Sequence, residues 1–131
     1  MMKANRRVDT KPEIALRSAL HRAGLRFRKD LCVGVGGRSP RPDVVFTRVK
    51  VAVFLDGCFW HLCPEHGRVP KGNNPEYWRR KLRGNRERDA EDTASLAAEG
   101  WRVVRIWEHE QVTTAVERVL VAVAESKHQR P

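Results

Sequence analysis

The sequence predicts an α/β fold, a mixed sheet carrying helices on its faces. Three observations lead there. Helical and strand-like patterns follow one another in the order helix, two or three strands, helix, strand, helix. Two of the strand-like runs stand too close together for a crossover helix, so they should pair as an antiparallel hairpin. At 131 residues the chain fits one domain, residues 1–131, with one moderate core.

Taken in order, Thr10-Lys11-Pro12-Glu13 reads as a helix start. Thr10 can cap, Pro12 lies in the first turn where its missing N–H costs little, and Glu13 follows the cap by three residues. Leu16, Ala19, Leu20 and Ala23 share one face, and Gly24 stops the helix after about Arg22. Residues 25–33 alternate loosely and predict a strand; VGVGGRSPRP is a loop. DVVFT (43–47) and VKVAVFLD (49–56) are the hairpin. The cysteine-rich segment and KGNNP are irregular. A long charged helix is expected from about Pro75 to Glu99, with Gly84 as a point of interruption. WRVVRIW (101–107) is a strand, and VTTAVERVLVAVA (112–124) a final helix with an apolar stripe. There is no internal repeat and no low-complexity segment.

Lys and Arg number 26 against 16 Asp and Glu, a formal charge of +10. The arginines recur along the whole chain, so this is no detachable tail, and the sign steers the protein toward a polyanion, above all nucleic acid. No apolar run reaches the roughly 18 residues of a membrane span. MMKANRRVD lacks the apolar stretch of a signal peptide, which predicts a reducing, cytoplasmic setting and three cysteines that serve as thiols or metal ligands. Cys32, among apolar neighbours, reads as a small core residue.

GCFWHLCPEH (57–66) concentrates the remaining chemistry. Cys58, Cys63 and His66 offer three ligands that suit zinc, which takes four in a tetrahedron when structural. The fourth would come from elsewhere: His109, just past the strand ending in Trp107, is one candidate and His61 the nearer one in sequence. Such a staple would add folding energy to a small domain with a long irregular loop. If His109 completes it, His61 is left for chemistry.

Asp43 begins one strand of the hairpin and Asp56 ends the other, so both fall near the same end of the sheet. Two carboxylates beside a histidine suit a hard divalent cation, magnesium above all, acting on a phosphate while His61 serves as base toward a water. Glu13 and Asp89 could join from flanking helices, or pair with one of the many basic side chains. Phe59 and Trp60 in the loop, and Tyr77-Trp78 ahead of Arg79, Arg80, Lys81 and Arg83, set rings beside a basic stripe, where rings stack on bases or wedge between them. Phe59 could instead pack the loop onto the sheet. Trp101 and Trp107 belong to an amphipathic strand and read as core or sheet-face residues.

Six ordered pieces resemble the very short patch repair endonucleases, strand-nicking enzymes of the restriction-endonuclease-like fold. They are Asp9-Thr10-Lys11-Pro12-Glu13, Arg41-Pro42-Asp43, Asp56-Gly57-Cys58-Phe59-Trp60-His61, Asn74-Pro75-Glu76-Tyr77-Trp78, Asn85-x2-Arg88-Asp89, and Gly100-Trp101-Arg102-Val103 through Trp107-Glu108. The resemblance implies a three-layer fold with a structural zinc loop, and a magnesium-dependent nick 5′ to the thymine of a T:G mismatch in double-stranded DNA. Asp43 would hold the magnesium and His61 act as general base. Glu13 and Asp89 would support them, and Phe59, Trp60 and Trp78 would form the ring wedge. The zinc would fall on Cys58, Cys63, His66 and His109. Where the best-known members have threonine and histidine before the glycine, this chain has Leu55-Asp56. The Leu55 backbone carbonyl can still serve magnesium, and Asp56 adds an acid that could bind the cation directly. The zinc-ligand spacing and identities also differ from the best-known pattern. A nick needs one active site, so a monomer is expected.

Three rival functions remain on the sequence: a nicking or restriction enzyme of the same fold with another target, a zinc-stapled DNA-binding module without catalysis, and a purely structural α/β interaction domain, which leaves both histidines and the wedge unexplained. Asp43, Asp56, Glu13 and Asp89 count against the second, because acids facing a phosphate oppose binding unless a cation lies between.

Overall fold

A computed structural model of the chain describes residues 11–57 and 74–129, with side chains described as far as Lys127. Its elements are α1 (Lys11–Arg22), β1 (Val44–Phe46), β2 (Val51–Asp56), α2 (Pro75–Ala98), β3 (Arg102–Trp107) and α3 (Val112–Gln129). The strands form one sheet in the order β1-β2-β3. β1 runs antiparallel to β2, with Val44 opposite Val53 and Phe46 opposite Val51. β3 runs parallel to β2, with Val51 opposite Arg102 and Asp56 opposite Trp107. A parallel neighbour needs a long crossover, which α2 supplies.

The period-2 alternation of β2 and β3 divides their side chains between two apolar layers. Val51, Val53, Val104 and Ile106 pack with Leu16 and Leu20 of α1 and with Ala115, Val119 and Val123 of α3. Ala52 and Phe54 face the other way, against Leu96 of α2 and Val33 and Val35 of the loop before β1. The sheet is thus covered on both faces, α1 and α3 on one and α2 with the 31–35 segment on the other. β2 is buried on both sides, which is why VAVFL is apolar without alternation.

Glycines stop both helices that precede a turn. Gly24 (φ 89°) and Gly100 (φ 89°) stand in the left-handed region. At the first, Leu25 N–H donates to the Leu20 carbonyl and Gly24 N–H to His21; at the second, Trp101 N–H donates to Leu96 and Gly100 N–H to Ala97. Both are paired six-to-one and five-to-two closures of a helix end, which satisfy carbonyls the helix leaves over. Gly84 does not interrupt α2, which runs unbroken for 24 residues. A single helical glycine costs only about 1 kcal/mol against alanine, and Leu82 and Leu96, fully buried on either side, hold the helix down.

Two expectations are corrected here. Residues 25–33 do not form a strand: Arg28 makes one two-bond bridge to Val45, and Asp30 (φ 55°) then turns the chain off the sheet edge. Cys32 is exposed, while its neighbours Leu31 and Val33 turn into the layer beneath the sheet.

Candidate active site

β1 begins late. Pro42, fully buried, precedes Asp43, and Asp43 N–H reaches the Val53 carbonyl. The next N–H along β2, that of Leu55, has no β1 backbone opposite it and donates instead to Asp43 Oδ2 at 2.6 Å. Asp43 therefore closes the ladder with its side chain and is held half-buried at the sheet end. Lys50 and Asp56 turn their carbonyls toward β3, accepting from Arg102 and Glu108, whereas Val53 turns its carbonyl toward β1. By strand alternation the Leu55 carbonyl lies on the Asp43 side.

A cleft of about 270 Å³ opens at this end of the sheet. Glu13, Asp43, Leu55, Asp56 and Asp89, each singled out from the sequence, all line it, together with Asp92, Glu108, Phe54, Gly57, Arg41 and Arg105. Six acids against two arginines make it a negative hole in a chain of charge +10. That inversion is what a cation-assisted reaction on a polyanion requires.

Asp43 carries the largest perturbation. Burial pushes its carboxyl up to about 7; the Leu55 N–H opposes this, while the Glu13 carboxylate, through its charge and a hydrogen bond, and the charge of Asp56 reinforce it. Glu13 is buried in the first turn of α1, with its Oε1 3.6 Å from Arg17 Nη1. Asp43 and Glu13 thus form a carboxyl pair that repels a second negative charge until a proton or a cation enters.

Asp56 is turned elsewhere. Arg105 Nη1 donates to Asp56 Oδ1 at 3.0 Å and lies 3.3 Å from Oδ2. The same guanidinium donates through Nε to Thr93 Oγ1 (2.9 Å) and through Nη2 to the Asp89 carbonyl (3.1 Å), and it lies 4.1 Å over the Phe54 ring. Asp89 Oδ1 is 3.9 Å from Arg105 Nη1. Glu13 and Asp89 therefore both line the cleft and both have a basic neighbour.

Arg105 was not among the residues singled out from the sequence. Its signal was there: an arginine inside a strand, between the buried Val104 and Ile106 and directly opposite Phe54. Asp89 also had a signal in its spacing, seven residues from the buried Leu82 and seven from the buried Leu96, hence on the inward stripe of α2. Arg38 ties the same helix down, 2.7 Å from Asp92 and 3.0 Å from Glu91.

Other candidates lie apart from the cleft. Trp78 is half-buried in the first turn of α2, its ring edge-on to the exposed Tyr77 at 5.4 Å. It stands roughly 16 Å along the helix from Asp89. His109 is exposed in the turn after β3. Because Asp56 pairs with Trp107, His109 is two residues past the sheet end at which the described chain reaches Gly57. Next to it, Glu110 sits below the usual carboxylate value: burial opposes this, but the Trp107 N–H and Arg118 outweigh it. Cys58, Phe59, Trp60, His61, Cys63 and His66 fall outside the described residues. Among those described, no three His, Cys, Asp or Glu side chains close into a group that could hold a metal. No described helix is long and apolar enough to cross a membrane.

Comparison with known proteins bears on this cleft. A family model described as DNA mismatch endonuclease Vsr matches residues 1–65, the stretch that supplies Glu13, Asp43, Leu55 and Asp56. The chain is 54% identical over 128 residues to the type II nicking enzyme V.NaeI of Lentzea aerocolonigenes, covering 97% of this chain and 76% of that one. It is 39% identical over 130 residues to the type II nicking enzyme V.NmeDIP of Neisseria meningitidis serogroup C, covering 96% and 85%. It is 37% identical over 100 residues to the DNA mismatch endonuclease Vsr of Escherichia coli (strain K12), covering 76% and 62%. The chain thus belongs to the DNA mismatch endonuclease Vsr family.

Proposed function

We propose that this chain is a magnesium-dependent DNA endonuclease of restriction-endonuclease-like fold that nicks one strand 5′ to the thymine of a T:G mismatch, with the acid-lined cleft as its active centre. The observation that carries this reading is the meeting of Glu13 and Asp43 at the end of a sheet in a strongly basic, DNA-seeking chain. The donor chemistry fits magnesium. Asp43 and the Leu55 carbonyl are hard oxygen donors, and the Asp43 carboxyl is held in a state that a cation would relieve. Magnesium is usually held by one or two carboxylates with water and phosphate completing its shell, a donor set that Asp43 and Leu55 can begin. Bound there, it would polarise the scissile phosphodiester and offset the charge that builds on it.

The chain's own residues do the rest. Asp43 orients the site through its bond to Leu55 N–H, and Glu13 supports it from α1. His61 takes the proton of the attacking water, and Asp89 supports the cleft from α2. Phe59, Trp60 and Trp78 open the duplex at the mismatch. A structural zinc on Cys58, Cys63, His66 and His109 ties the segment after Gly57 to the turn after β3, and the register that brings His109 to that sheet end supports this set. A single nick needs one such site, so the monomer acts on its own.

Relatives named type II nicking enzymes favour a second reading, a nick at another target by the same machinery. A nicking assay with magnesium on T:G, other mismatched and fully paired duplexes decides between them. Preferential cutting beside T:G supports the mismatch target, cutting of a paired duplex supports the second reading, and intact strands throughout would refute both.

A further inference from the structure

We propose that Arg105 is a positioning residue that keeps Asp56 as its own counter-ion, so that divalent cation binding in the cleft runs through Asp43 and not through Asp56. This deepens the reading above and rests on a cation binding at Asp43. Asp56 is buried, and both its oxygens lie against Arg105 Nη1, at 3.0 and 3.3 Å. The guanidinium cannot lose its charge, and its other donors are committed to Thr93 and the Asp89 carbonyl while its plane lies against Phe54. A group held on three sides by α2 and β2 is a fixture, so the carboxylate paired with it is fixed as well. Phe54 and Asp56 share the sheet face covered by α2, whereas Asp43 meets β2 at its edge through Leu55 N–H.

The consequence is electrostatic. Arg105 offsets part of the Asp56 charge, so that Asp43 and Glu13 are the leading negative pair that a cation sees. Without Arg105, the undiminished Asp56 charge would tighten cation binding on the order of tenfold. Without Asp56, the uncompensated arginine would weaken it by a similar factor.

The test is calorimetric titration of the full chain with Mn2+ alone. Wild type should bind Mn2+ and Asp43→Asn should not. Arg105→Met should bind more tightly, Asp56→Asn more weakly with unchanged stoichiometry, and the double variant Asp56→Asn/Arg105→Met should return to near wild-type affinity. Arg105→Lys, which keeps the charge and loses the fork to Thr93 and Asp89, should bind like wild type while melting lower. A merely structural Arg105 would lower the melting temperature in both single variants without tightening binding in either. If Arg105→Met does not fold, Asp56→Asn and Arg105→Lys still decide. Binding lost in Asp56→Asn and in the double variant as fully as in Asp43→Asn would make Asp56 a ligand and overturn the proposal alone. A wild-type chain that binds no Mn2+ would remove the cation reading, and this inference with it.

Discussion

Replacing Asp43 by Asn should move stability and activity in opposite directions. The amide keeps the shape and can still accept the Leu55 N–H through Oδ1, so the ladder closure survives. What it removes is a carboxyl pushed up from an ordinary value near 3.8 to about 7 by burial, with Glu13 and Asp56 adding to the push. Between those values the folded chain holds a proton that the unfolded chain has released, so metal-free stability falls as pH rises through about 7. At about 1.4 kcal/mol per decade of proton affinity, the ionised carboxylate costs about 4 kcal/mol at most once the pH is well above its value. With magnesium omitted at about pH 8, Asp43→Asn should therefore melt higher than wild type, by up to roughly 15 °C, and the gap should close at about pH 4. With magnesium the order reverses: wild type gains stability from the bound cation, while the variant gains none and does not nick. The reasoning is refuted if the variant without magnesium is no more stable than wild type at the higher pH, or if the difference does not vary with pH.

Four further outcomes are expected. His61→Ala should abolish nicking with zinc content unchanged by atomic absorption; loss of zinc instead would make His61 a ligand. Cys63→Ser, or prolonged exposure of wild type to a strong chelator, should release zinc and lower the melting temperature, and an unchanged melt would remove the staple. Trp78→Ala should cost about 1–3 kcal/mol in binding to a mismatched duplex and less in binding to a paired one, measured by fluorescence anisotropy; equal losses would count against the wedge. Leu96→Ala, which empties a fully buried position between α2 and the sheet, should destabilise by about 2–5 kcal/mol in urea unfolding, and a change under 1 kcal/mol would contradict the packing.

Most of the element order was legible because it rests on local signals. Gly24 and Gly100 mark helix ends through backbone freedom that only glycine has cheaply, and VAVFLD marks a strand buried on both faces. The segment 25–33 was misread because loose alternation is also what an edge loop shows when it dips once against a sheet. One left-handed residue, Asp30, sufficed to end the pairing. Cys32 was misread for a related reason: apolar neighbours do not say which way a side chain points when the strand they suggest never forms.

For the candidate site, the sequence by itself determined the acids and their rough address. Asp43 and Asp56 bracket the hairpin, so pairing alone brings them to one sheet end, and Glu13 and Asp89 were recognisable from the motifs that hold them. Only the tertiary structure decided how those acids divide. Asp43 looks toward Glu13 and Leu55, whereas Asp56 looks toward Arg105, because successive positions on β2 face different layers and the partner of each comes from an element far along the chain. Arg105 is 49 residues from Asp56. Charge type and local pattern are written in sequence, but which opposite charge a carboxylate meets depends on the parallel register of β3 against β2, and that register is set by packing across both layers.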